Sequence, residues 1–185
     1  MNAIVTREED WLKLTLKAAV IYDDFDFAAR TAALLERAAV RSDEAIHWDI
    51  KPWRLDLLKP SSLADAALGE ITDADLIVVA LCKTHLPPDA LLEWLERWAG
   101  RRQTRDAALM VLCPEETAGP MSSWTRLKEF AEWQGLSFLG NRNLQDEVDS
   151  MNFVHRLWQR KQPVVPELLW PADQPRAPRH WGINE

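Results

Sequence analysis

The feature that most constrains this chain is a repeated change of hydrophobic period. Short, nearly continuous apolar runs alternate with longer segments whose apolar residues recur every three or four positions. Residues 16–22 (LKAAVIY), 75–82 (DLIVVALC) and 107–113 (AALMVLC) are runs of the first kind. Aliphatic and β-branched residues dominate them, as they must in strands covered on both faces. Residues 28–40, 86–99 and 124–134 carry the helical spacing, with Gly100 and Gly135 placed to stop two of them. Residues 46–51 (IHWDIK) alternate strictly, which predicts a strand with one wet face, ended by Pro52. Pro60-Ser61-Ser62 opens a further helix to about Thr72. Residues 136–139 read as a short fifth strand and 143–162 as a last amphipathic helix.

The resulting order, βαβαβαβαβα, implies parallel strands, because each crossover is right-handed and lays its helix on a sheet face. The expected architecture is α/β: a three-layer, doubly wound, five-stranded parallel sheet in the flavodoxin-like order 2-1-3-4-5. The half-polar strand 46–51 then falls at an edge. Residues 1–162 form the domain and residues 163–185 a Pro-rich tail. In that tail Pro163, Pro166, Pro171, Pro175 and Pro178 disfavour both helix and sheet. It still carries Val164, Val165, Leu168, Leu169, Trp170 and Trp181, so part of it is expected to lie extended on its own domain or on a partner.

Charge narrows the function classes. The chain has 22 Lys+Arg against 29 Asp+Glu, a formal net charge of −7. A nucleic-acid binder needs a basic surplus, and so does a protein that docks on anionic lipid, so neither partner is expected. No apolar run reaches the roughly 18 residues needed to span a bilayer, and MNAIVTREED has no apolar signal region. Cys82 and Cys113 are the two cysteines, too few for a disulfide framework, so a cytoplasmic location is expected. Ten tryptophans accompany a single tyrosine. Indoles anchor interfaces. On the helix 86–99 the apolar residues span an arc of roughly 200° at about 100° per residue, which points Trp94 and Trp98 toward a rim. Trp94, Trp98 and Trp181 are therefore the candidate interface residues, set for Trp94 and Trp98 against contact with the adjacent helix or the Pro-rich tail, with self-association, as a homodimer, the expected partnership.

In such sheets ligands bind beyond the carboxyl ends of the strands, where the strand order reverses. The loops there contribute Asp23, Asp24 and Asp26, then Cys82, Lys83, Thr84 and His85. Asp23 and Asp24 are candidate Mg²⁺ ligands, set against a plainer role in capping the following helix. Cys82 and His85 suggest a thiol nucleophile with Lys83 lowering the thiol pKa, set against burial of a cysteine at a strand end. Asp24-Phe25-Asp26 is a D-x-D without a matching lysine or distal acidic pair. No G-x-G-x-x-G or G-x-x-x-x-G-K-[ST] occurs, and the bulky acidic turn Tyr22-Asp23-Asp24-Phe25 would repel the phosphate of FMN, so no nucleotide or flavin cofactor is expected.

The stretch AVIYDDFDFAARTAALLERA resembles the opening of receiver domains of bacterial two-component signalling, over roughly residues 17–140 in strand order. The resemblance implies that Asp23 and Asp24 match the acidic pair that holds Mg²⁺. The phosphoacceptor slot falls on Ala80, whose methyl group accepts no phosphoryl group. Cys113 and Gly140 stand where that family carries a hydroxyl and a lysine. The expectation is a non-catalytic interaction or regulatory module in bacterial signalling. The alternative is a small Mg²⁺-dependent hydrolase or transferase using the acidic loop after the first strand.

Overall fold

A computed structural model describes residues 14–41, 46–59, 62–83, 87–113 and 122–141, together with His155, which is helical. Along them run β1 (Leu14–Tyr22), α1 (Phe25–Arg41), β2 (Ile46–Arg54), a 3-10 turn (Leu55–Leu58), α2 (Ser62–Glu70), β3 (Leu76–Ala80), α3 (Asp89–Ala99), β4 (Ala108–Leu112), α4 (Ser122–Trp133) and β5 (Ser137–Asn141). The five strands form one sheet in the order β2-β1-β3-β4-β5. Every neighbouring pair is parallel. This is the flavodoxin-like α/β fold expected from the alternation. The amino-terminal residues, most of the expected helix 143–162 and the tail 163–185 with Trp181 lie outside the described residues.

The side-chain period of two divides each apolar run between two cores. Ala19, Ile21, Ile77, Val79, Leu109 and Val111 face α2, α3 and α4. Leu16, Ala18, Val20, Leu76, Val78, Ala80, Ala108, Met110 and Leu112 face the opposite side, where α1 packs through Phe27, Leu34 and Leu35. All five residues of β3 are buried, and so are all five of β4. That is the physical reason those two segments contain no polar residue.

The start of β3 is tied to β1 by a buried acid. Asp75 is 1 % exposed. Its Oδ2 accepts the N–H of Lys17 at 2.8 Å, and its own N–H donates to the Lys17 carbonyl at 2.8 Å. The carboxylate thus replaces a ladder acceptor at the strand entrance.

Pro52 does not end β2. The strand continues to Arg54, with Pro52 in register with Val20 of β1. β2 is the edge strand and Pro52 is exposed. Proline is tolerated where its missing N–H would face solvent rather than a neighbouring strand.

The interface reading of Trp94 and Trp98 is corrected. They are 1 % and 0 % exposed, among the largest fully buried side chains. Trp94 Nε1 donates to the Ala64 carbonyl at 3.1 Å, and Trp98 Nε1 donates to the Ile71 carbonyl at 2.9 Å. The wide apolar arc of α3 exists because the helix packs on the sheet and on α2 together. With each indole N–H paired inside the protein, the polar handle of Trp needs no solvent.

Candidate functional site

The crevice at the reversal of strand order is built from the turn after β1 and the end of β3. β1 stops at Tyr22 and α1 starts at Phe25, so Asp23 and Asp24 make up the whole turn. Asp24 Oδ1 accepts the N–H of Phe27 at 3.0 Å. This is an N-cap bond, which satisfies one of the unpaired donors in the first turn of α1. Asp24 Oδ2 lies 3.0 Å from Lys83 Nζ. Asp23 reaches across to β3: its Oδ1 accepts the N–H of Cys82 at 2.7 Å and its Oδ2 accepts the N–H of Lys83 at 2.9 Å. β1 and β3 are neighbours in register at Tyr22 and Ala80. One carboxylate therefore closes the gap that opens as the two strands part.

The electrostatics follow from this bracing. The Lys83 ammonium and, after it, the Phe27 N–H hold the Asp24 carboxyl below its usual range. Asp24 in turn raises Lys83. Burial pushes the Cys82 thiol up, and the charges of Asp24 and Asp23 add to the rise. Lys83 does pull the Cys82 thiol down, as expected, and Arg30 does so too, but burial and the two carboxylates outweigh both cations. A thiol held protonated is a poor nucleophile. Cys82 also packs against the α1-side core. Its proposed partner His85, with Thr84, lies outside the described residues.

Asp23 and Asp24 come together, but their oxygens serve the main chain and Lys83. No group of three or more His, Cys, Asp or Glu able to hold a metal ion occurs among the described residues. The α1 N-terminus, where a phosphate would sit in a phosphate-binding relative of this fold, holds the chain's own Asp24 carboxylate. Ala80 is completely buried at the end of β3, and Cys113 is buried just beyond β4.

Two features escaped the reading of the sequence. Trp133 is 79 % exposed on α4, beside a groove lined by Leu92, Glu93, Glu96, Glu129 and Phe130. The signal was available: at about 100° per residue, Trp133 falls roughly 120° off the stripe made by Leu127, Phe130 and Ala131. The second is the cationic pair Arg54 and Lys59 beside the crevice. Arg54 ends a strand that was expected to stop at Pro52, and Lys59 follows the 3-10 turn after it.

The fold and crevice define a doubly wound α/β protein of flavodoxin-like architecture whose first turn is acidic and internally braced. No protein-family model matches the sequence, and no curated protein matches it. Solved structures similar to this chain include the flavodoxin-like domain of a Synechococcus protein, 12 % identical, with a TM-score of 0.43, over 76 % of this chain and 99 % of that one. A flavodoxin from the domain Archaea is 10 % identical, with a TM-score of 0.47, over 77 % and 99 %. The lactose-specific IIB domain of a Streptococcus pneumoniae phosphotransferase system is 13 % identical, with a TM-score of 0.35, over 79 % and 100 %. Among the described residues no helix is long and apolar enough to cross a membrane.

Proposed function

We propose that this chain is a non-catalytic interaction module of receiver-like architecture, acting in regulation by contact with protein, a second copy of itself included. The observation that carries this reading is the consumption of both first-turn carboxylates. Asp23 binds the backbone of Cys82 and Lys83, and Asp24 caps α1 and pairs with Lys83. Metal-assisted phosphoryl chemistry would need those oxygens pointed at an ion and an acceptor beside them. Ala80 offers no acceptor.

With Trp94 and Trp98 inside the core, the surface that suits a partner is the α3–α4 groove under Trp133. An exposed indole beside Phe130 gives the kind of rigid aromatic anchor that interfaces use.

Two measurements test the proposal. Incubation with Mg²⁺ and acetyl phosphate, followed by intact mass, should give no phosphoryl adduct and no turnover; an adduct would overturn the non-catalytic reading. Light scattering of the purified chain should give a dimer mass that falls to the monomer in Trp133→Glu. A wild-type monomer at 100 µM, a concentration on the scale of weak association, would remove self-association.

A further inference from the structure

Beside the braced turn lies a cavity of about 380 Å³. Its apolar lining is Leu55 from the 3-10 turn and Ala90 from the first turn of α3, with Leu91 wholly buried beneath them. Its rim carries three cations, Arg54, Lys59 and Lys83, against two carboxylates, Asp23 and Asp56. Asp24, 3.0 Å from Lys83, brings the carboxylates to three, so cations and carboxylates balance around the cavity.

Most of that charge is already matched. Arg54 donates to Asp56 at 2.7 Å, Lys83 lies 3.0 Å from Asp24, and Asp23 accepts two backbone N–H groups. Lys59 is left with no ion pair among the described residues. The N-cap of α3 is Pro88, which supplies no side-chain cap, and it lines the same cavity.

We infer that this cavity binds a small amphipathic organic carboxylate, its single negative charge at Lys59 and its apolar body against Leu55 and Ala90. A volume of this order suits a ligand of drug-fragment size, mostly apolar with few polar contacts. One unmatched cation selects one negative charge. A phosphate dianion would face Asp23 and Asp56 with a charge that the site does not balance. The inference goes beyond the proposed contact with protein, since the cavity opens between the 3-10 turn and α3 and shares none of its lining with the groove under Trp133.

Isothermal titration of the full chain with 4-phenylbutyrate is the test, with 4-phenylbutanamide and inorganic phosphate as comparison probes. Saturable binding of the carboxylate is expected, and weaker or absent binding of the amide and of phosphate. Lys59 is exposed, so Lys59→Gln should fold and should weaken the carboxylate about tenfold, the scale of one charge-assisted hydrogen bond. Leu55→Asp should abolish binding, and Ala90→Asp serves as the second apolar variant if Leu55→Asp does not fold. Equal affinity for amide and carboxylate, tighter binding of phosphate, no saturation at millimolar concentration, or an unchanged affinity in Lys59→Gln would each overturn the inference. None of these outcomes depends on the dimer mass or the phosphoryl-transfer readout.

Discussion

Asp24→Asn keeps an N-cap acceptor for Phe27 and removes the charge that faces Lys83, whereas Asp24→Ala removes both. Thermal denaturation should therefore rank the alanine variant below the asparagine variant, with wild type highest. The pH dependence has a definite sign. Asp24 is lowered from 3.8 in the folded chain, so its contribution is present above that value and fades as pH falls through the lower folded one. Lys83 is raised from 10.5, so its contribution is present below 10.5 and fades as pH rises through the higher folded value. Asp24→Asn should flatten both limbs of a stability-against-pH curve, by a small amount because Lys83 is 70 % exposed. Asp23→Ala should cost about 2 kcal/mol in urea denaturation, since it leaves two backbone donors unpaired at the parting of β1 and β3. Cys82 should react slowly with iodoacetamide at neutral pH, because burial and two carboxylates favour its thiol form; a rate equal to that of free cysteine would contradict this. That an acid caps α1 could be read from Tyr22-Asp23-Asp24-Phe25. That Asp23 binds the far side of a strand gap could not, since its partners are 59 and 60 residues away.

Among the elements, α3 carries the clearest prediction. Trp98→Ala should lose about 3–5 kcal/mol, the range for a large aromatic removed from a core that cannot collapse around the void. Trp94→Phe should lose about 1 kcal/mol, roughly one hydrogen bond, to the Ala64 carbonyl. Equilibrium unfolding measures both, and near-wild-type stability of Trp98→Ala would refute the packing of α3 on α2. At the end of α4, Gly135 has φ = +67°, and Gly135→Ala should cost about 1 kcal/mol from backbone conformation alone. Periodicity located α3 and the width of its apolar arc. It did not reveal whether the surplus width meets a neighbour in the same chain or a partner. Both demand the same residues, and only the position of α2 beside α3 separates them. Likewise Pro52 reads locally as a stop, and its tolerance depends on β2 having no neighbour on one side.

At the scale of the whole molecule, two cores share one sheet, so loss of either exposes the strands that the other covers. Unfolding followed by Trp fluorescence, dominated on one face by Trp94 and Trp98, should coincide with unfolding followed by far-ultraviolet circular dichroism. Separate midpoints would show that the faces melt independently. The amino-acid sequence by itself determined the α/β class, the parallel strands and the 2-1-3-4-5 order, because hydrophobic period, chain length between strands and crossover handedness are local or generic constraints. It also determined the acidic chemistry of the first turn. Only the tertiary structure decided what that chemistry is for. The direction of the carboxylates, the burial of the indoles, the exposure of Trp133 and the meeting of Arg54, Lys59 and Lys83 around one cavity all depend on which distant segments pack together. A one-dimensional pattern encodes which side chains seek burial or charge, and leaves open which neighbour supplies it.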